Sequence, residues 1–236
     1  MMSDLAAQLR DLVIANRILA HERVVDAFGH VSIRHPQRPD RFFLSGARAP
    51  ELVSEADLIE YDLECNPINQ NGRAMYAERP IHGAIYSARP DVMAVIHNHA
   101  YEVIPFTVTN VRLRPLLHTA GAIGARIPVW DIRTKFGHTD LLVRTLEQGR
   151  DLANCLAQNT VSLMRGHGCA VVGHTLKAAV STAIYLMVNA RLQSEAMRLG
   201  EVTFLSDEEV SETTRMATSP LGIDRAWEYW ARRSGI

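Results

Sequence analysis

Residues 92–99, VMAVIHNH, constrain this chain more than any other stretch. The run is β-branched and mostly apolar, so it reads as a buried strand. It leads without a break into a polar end, His97-Asn98-His99. Side chains two apart on a strand point to the same face. The strand therefore presents two imidazoles together, which suits one metal ion.

The surrounding sequence supplies helices and further strands. Ser3 and Asp4 open a helix whose apolar stripe is Leu5, Leu9, Leu12, Val13 and Leu19. VSIRH, FFLS at 42–45 and LIEYDL read as short strands, with Ser54 and Asp57 forming a capping box between the second and third. Arg79 to Ala88 is a helix, with Pro80 in its first turn and Arg89-Pro90 ending it. Residues 100–110 read as helical with a disruption at Pro105, and IPVWDI as a strand. Thr139 to Ala157 reads as a helix, VSLMRG and CAVVG as strands joined at His167, and Thr175 to Leu199 as a long amphipathic helix. Ser206 with Glu209 marks another capping box, and a helix bearing Trp227, Tyr229 and Trp230 closes the chain. Helices alternate with strands, and the short strand-to-strand steps imply hairpins. The expected fold is α/β, a three-layer α/β/α sandwich with a mixed, mostly antiparallel central sheet. One domain over 1–236 is expected, with a helical extension from about 206 to 236.

Composition excludes several functions. The formal net charge is −1 and basic residues are scattered, so nothing attracts nucleic acid or an anionic membrane. No apolar run approaches the roughly 18 residues that span a bilayer, and the N-terminus lacks a signal-peptide layout. Three separated cysteines, Cys65, Cys155 and Cys169, argue against a disulfide framework. A cytoplasmic protein is expected. Ten histidines are many for a chain of 236 residues, and they are the first functional hint.

His167 lies in Arg165-Gly166-His167-Gly168, at a tight turn between two strands. Flanking glycines let the backbone turn and keep the space around the imidazole clear. With His97 and His99 it makes three neutral ligands and leaves a coordination position open, as catalytic zinc sites do. Taken alone, an HxH pair is commonplace and a turn histidine is usually structural. Glu78, at the start of the helix before the HxH strand, adds a carboxylate in reach of the site. Beside an open metal position it would serve as acid or base. A helix N-terminus also favours a carboxylate for electrostatic reasons alone, by a few tenths to about 1 kcal/mol.

These motifs together resemble the class II aldolase/adducin family over roughly residues 8–200. The resemblance rests on Gly29-His30-Val31-Ser32, Ser45-Gly46, Glu78-Arg79-Pro80-Ile81-His82 with Ile85-Tyr86, Arg89-Pro90-Asp91, Ala94 to His99 and Arg165 to Gly168. It implies an α/β/α sandwich, usually a tetramer, with metal held by His97, His99 and His167 and with Glu78 as acid/base. Two departures stand out. Where sugar-phosphate members carry two serines that help hold the substrate phosphate, this chain has Tyr76 and Ala77. Where they carry an asparagine in the early motif, it has His30. A dianionic phosphate needs several donors, so the phosphate cradle is expected to be lost. Beyond the HxH pair, ArgProLeuLeuHis at 114–118, IleProValTrpAspIle at 127–132, PheGly at 136–137 and ThrAspLeuLeuVal at 139–143 are closer to the hydroxypyridine dicarboxylate and dihydroxyphthalate decarboxylases.

The expected activity is therefore a metal-dependent lyase that decarboxylates a hydroxylated aromatic or pyridine carboxylate. Breaking that carbon–carbon bond leaves an electron pair, which a metal on an adjacent oxygen can accept in an enolate-like form. One divalent ion per subunit is expected, Mn²⁺ or Zn²⁺, with Fe²⁺ an alternative that three histidines also accommodate. Arg48, Arg79 and Arg165 are candidates for a carboxylate clamp on an anionic small-molecule substrate. Structural ion pairs are the competing role for each. His30 and His118 are candidates for polar contacts to ring substituents, and Ser45 and Gly46 belong to the same binding set. His82, one turn after Glu78, orders local structure. Trp227, Tyr229 and Trp230 are packing residues that in a tetramer would cover a neighbour's site. Three alternatives remain: a sugar-phosphate aldolase or epimerase, an iron-dependent oxygenase on the same scaffold, and a non-enzymatic module. The intact histidines and Glu78 weigh against the last.

Overall fold

The computed structural model describes residues 5–235, so the helix opening expected at Ser3 and Asp4 lies outside the described residues. Helix α1 (Leu5–His21) leads into three antiparallel strands, β1 (His30–Arg34), β2 (Arg41–Ser45) and β3 (Leu58–Asp62). Helix α2 (Arg79–Ala88) and strand β4 (Ala94–Asn98) follow, then α3 (Ile104–Val108), β5 (Val129–Trp130), α4 (Arg133–Phe136) and α5 (Leu146–Leu156). Strands β6 (Val161–Met164) and β7 (Gly168–Gly173) form a hairpin. Helices α6 (Leu176–Leu199), α7 (Asp207–Ala217) and α8 (Pro220–Arg233) close the chain. The sheet order is β3-β2-β1-β4-β7-β6-β5, and every pairing is antiparallel except β5 with β6. Among the described residues no helix is long and apolar enough to cross a membrane.

Strand alternation builds two cores. Val31, Ile33, Phe43, Ala94, Ile96, Leu163 and Val171 turn to one face, which α1, α6 and α8 cover. Phe42, Leu44, Ile59, Val95, Met164, Ala170 and Val172 turn to the other, which α2 and α5 cover. This is the expected three-layer arrangement with a mixed, mostly antiparallel sheet. Each fully buried Val, Leu or Ile is worth roughly 1.5–3 kcal/mol. An exposed pair such as Arg144–Asp140 adds at most about 1 kcal/mol. Packing on two faces, not surface charge, therefore holds the sheet.

Four local expectations need correction. The helix expected over 139–157 begins only at Leu146, because Thr145 and Gln148 form a capping box that fixes the start there. Residues 139–145 are a loop. Pro105 does not disrupt a helix but sits in the first turn of α3, where its missing N–H is no loss. The strand expected over 127–132 shrinks to Val129–Trp130. Pro128 has no N–H to pair, and the Asp131 carboxylate accepts the Arg133 N–H at 3.0 Å and turns the chain. The C-terminal aromatic residues all lie on α8, where Trp227 and Trp230 are buried against the α1–α6 side of the same chain. Covering a neighbour is not what buries them.

Candidate metal centre

Glu78 is the N-cap residue of α2, yet its carboxylate caps no N–H of that helix. Oε1 instead accepts the Val143 N–H at 2.9 Å, from the loop before α5. Oε2 turns to the sheet and lies 3.4 Å from His97 Nε2 and 3.5 Å from His167 Nε2. His97 reaches this point because it shares the α2-facing side of β4 with Val95. Its Nδ1 donates to the Cys169 carbonyl at 3.1 Å across the β4–β7 ladder. That bond leaves the lone pair on Nε2, which stands 2.9 Å from His99 Nε2.

The hairpin turn delivers the third imidazole. Gly166 takes a left-handed φ of 62°, where a side chain is disfavoured. A Cβ on Gly168 would lie 2.1 Å from the Asn98 carbonyl oxygen and 3.0 Å from His99 Cδ2. The glycine thus lets β7 close directly onto the HxH end of β4. The Glu78, His97, His99 and His167 ligand atoms all lie within 4.8 Å of one another.

The electrostatics suit a cation. Burial, reinforced by His97 and His167, holds the His99 imidazole down at about 3, so it is neutral near pH 7. Burial works to raise the Glu78 carboxyl, but His97 and His167 outweigh it and hold it far below the usual carboxylate range. Both ring nitrogens of half-buried His167 are shielded from solvent and lack a hydrogen bond among the described residues. An unsatisfied buried polar group costs about 1–3 kcal/mol. Three imidazole nitrogens and a carboxylate converging on one point are a donor set that a divalent ion satisfies. The residues present fit a metal, and Glu78 closes the fourth side.

Comparison with known proteins places this arrangement. Residues 10–194 match the model of the class II aldolase and adducin N-terminal domain. The chain belongs to this family. Decarboxylase tropJ from Talaromyces stipitatus is 36% identical to it over 248 residues, covering 95% of this chain and 92% of that protein. The 3,4-dihydroxyphthalate decarboxylase of Arthrobacter keyseri is 24% identical over 229 residues, covering 92% of this chain and 90% of that one. An aldolase II superfamily protein from Pseudomonas syringae shares the fold, with a TM-score of 0.81 and 22% identity over 99% of this chain and 94% of that chain. The expected family and its decarboxylase branch are borne out.

Around the centre of this class II aldolase family member, the other anticipated residues divide. His30 pairs with His97 across β1 and β4, with ring centroids 5.1 Å apart, and is buried beside the cluster. Ser45 is buried, and Gly46 is fixed by packing, since a Cβ there would meet the Ala74 carbonyl at 2.9 Å. Arg48 pairs with Asp57 at 3.2 Å. Arg79 donates to the Cys65 and Tyr76 carbonyls at 3.2 and 3.0 Å. Arg165 pairs with Asp131 at 2.9 Å, a carboxylate that Arg133 also engages. The three arginines thus carry structural pairings rather than a shared clamp. His118 is exposed and makes no hydrogen bond or ring contact with the cluster among the described residues.

Two features escaped the sequence reading. The Val143 N–H on Glu78 had no sequence signal. A buried polar string runs from His30 Nδ1 to His82 Nε2 at 2.6 Å, from His82 Nδ1 to the Ser32 hydroxyl at 2.6 Å, and on to the Tyr86 hydroxyl at 2.8 Å. Its signal was the i, i+4 spacing of His82 and Tyr86 and the i, i+2 spacing of His30 and Ser32. A cavity of about 790 Å³ opens at the other end of the sheet, by Arg34, Arg89, His174 and Lys177, away from the cluster.

Proposed function

We propose that the chain is a metal-dependent carbon–carbon lyase that decarboxylates a hydroxylated aromatic or pyridine carboxylate. The observation that carries this reading is the convergence of three imidazoles and one carboxylate within 4.8 Å at the mouth of a buried strand. The names of the two decarboxylase relatives support the choice of reaction, and one of them is named for a dihydroxyphthalate.

His97, His99 and His167 would hold the ion, Mn²⁺ or Zn²⁺. When bound it supplies a Lewis acid that draws electron density from a substrate oxygen. Glu78 carries the proton. Its carboxylate is ionised before substrate arrives, so it takes the proton of the ring hydroxyl as that oxygen binds. It then delivers the same proton to the ring carbon. The carbon–carboxylate bond breaks, its electron pair stays on that carbon and becomes the new C–H bond, and CO₂ leaves. The Val143 N–H holds Oε1, which aims Oε2 at the reacting atoms. His82 orients His30 beside the site through the 2.6 Å contact. The enzyme works as a cytoplasmic homotetramer on a small anionic substrate, with active sites near subunit boundaries.

The test is CO₂ release from a panel of hydroxylated benzene and pyridine carboxylates, with added Mn²⁺ or Zn²⁺ and with oxygen uptake followed in parallel. Release that needs the metal and consumes no oxygen is expected. Cleavage of a phosphorylated ketose with no CO₂ from any ring acid would restore the aldolase alternative. Oxygen uptake tied to turnover would favour the oxygenase.

A further inference from the structure

The bond that aims Glu78 comes from an irregular segment between α4 and α5. Glu78 Oε1 accepts the N–H of Val143, a residue with no exposed surface. The other backbone N–H groups from 141 to 145 are taken by side chains of the same stretch. Leu141 donates to the Thr139 hydroxyl at 3.0 Å and Leu142 to Asp140 Oδ1 at 3.1 Å. Arg144 and Thr145 both donate to Gln148 Oε1, at 2.8 and 3.1 Å. Asp140 Oδ2 also accepts two bonds from the Arg144 guanidinium, at 2.8 and 2.7 Å. Of the five N–H groups, Val143's alone reaches outside the stretch.

The stretch is held in a conformation it would not choose alone. Leu141 takes a left-handed φ of 68°, which costs energy for a residue with a Cβ and persists only where its surroundings over-determine it. Its side chain covers the turn that carries His167: a Cβ on Gly166 would lie 3.7 Å from Leu141 Cδ1. At the other end α5 presses on the first turn of α2, where a Cβ on Gly149 would collide with the Pro80 carbonyl oxygen. The Val143 N–H belongs to the Leu142–Val143 peptide. The peptide before it is pinned by Asp140 through the Leu142 N–H, and the peptide after it by Gln148 through the Arg144 N–H. With both neighbours fixed, the middle peptide cannot swivel. A capping box asks its N3 side chain to accept one N–H. Gln148 accepts two, and the extra one is the bond that pins the peptide after Val143.

We propose that Asp140 and Gln148 are positioning residues for Glu78: by pinning the peptides on either side of Leu142–Val143, they fix the N–H that sets where the proton-carrying carboxylate points. The inference rests on the reading of Glu78 as proton carrier, so it is tested by amide exchange as well as by turnover. Hydrogen exchange at Val143, metal content, Tm, and kcat and KM for CO₂ release from the ring acid turned over fastest are measured in metal-loaded parent, Asp140→Ala, Gln148→Ala, Asp140→Asn and Gln148→Glu. Glu209→Ala is the control, since it removes the acceptor of the Ser206 N–H from the capping box of α7. The Val143 amide should exchange at least about 10-fold faster in both alanine variants than in the parent. Both should keep parental metal content and a KM within about twofold, and lose kcat by roughly 10-fold, toward the 10²-fold cost of a 1 Å misplacement. Asp140→Asn and Gln148→Glu keep the acceptors and should recover most of that loss. Glu209→Ala should lower Tm and leave kcat at the parental value. Parental exchange at Val143 in Gln148→Ala would overturn the proposal. So would a kcat loss that Gln148→Glu does not recover, or a raised KM at constant kcat. A parent that releases no CO₂ from any ring acid would count against the decarboxylase reading, and exchange at Val143 would then decide the proposal by itself.

Discussion

Replacing Gly168 by alanine should damage the metal centre without touching a ligand. The added Cβ would stand 2.1 Å from the Asn98 carbonyl oxygen, which is backbone and cannot rotate away. A carbon–oxygen contact settles at about 3.3 Å, so β4 and β7 must part by about 1 Å. The gap opens where His97 and His99 on one strand meet His167 on the other. Metal–ligand distances tolerate only about 0.2 Å, so at least one imidazole falls out of reach. Metal affinity should drop by at least the 10–100-fold seen when a mere outer partner is lost. The overpacking itself costs about 1–3 kcal/mol, or roughly 2–12 °C in Tm for a chain of this size. Chelator competition reads the affinity, and melts of the chelator-treated protein read the packing cost alone. A variant with lowered Tm and parental metal affinity would show that the strain is absorbed elsewhere and that strand contact does not set the site.

Glu78→Gln keeps an acceptor for the Val143 N–H, so fold and most metal affinity should survive while CO₂ release falls by about 10²–10⁴-fold; equal rates would remove Glu78 from proton transfer. The metal-free protein should lose stability in acid. Burial, then the nearby His97, holds the fully buried His82 at about 3 against an ordinary 6.5. The unfolded chain therefore protonates first as pH falls, so stability is full above about 6.5 and is lost toward 3. At pH 5 that is about 2 kcal/mol for this group. His82→Gln should flatten the Tm–pH curve below neutrality, and an unchanged slope would exonerate His82. Light scattering should give a tetramer at working concentration; a monomer would refute the assembly.

Much of the site was legible because its logic is local. Period-two alternation puts His97 and His99 on one face of a strand whose apolar run is unmistakable. Pro80 and Arg89-Pro90 bracket α2 closely enough to place Glu78 at its start. Glycines around His167 mark the hairpin. What stayed hidden depends on long-range register. Whether His30 meets His97 is decided by which residues of β1 and β4 pair, and whether His82 meets Ser32 by how α2 lies on the sheet. The loop at 139–145 was misread because Leu141, Leu142 and Val143 look like a helical stripe, while the Thr145–Gln148 box that overrides them is a subtler signal. The arginines looked like a clamp because a sequence cannot show that Asp57, Asp131 and two carbonyls already hold them. The aromatic C-terminus seemed to need a partner because the groove between α1 and α6 that receives it is formed by segments roughly 170 residues apart in the chain.

Strand β4 carries two messages in alternate letters: Ala94 and Ile96 belong to the core under α1 and α6, and Val95 and His97 to the chemistry under α2. Length changes in this strand therefore obey a parity. Inserting or deleting one residue between 93 and 97 exchanges the two alphabets and drives an imidazole into an apolar core that has no partner for it. A change of two restores the assignment and only slides the histidines along by one pleat. Relatives of this chain should thus differ in length before the HxH pair by even steps, or place the odd residue in the turn ahead of β4, where the sheet does not count it.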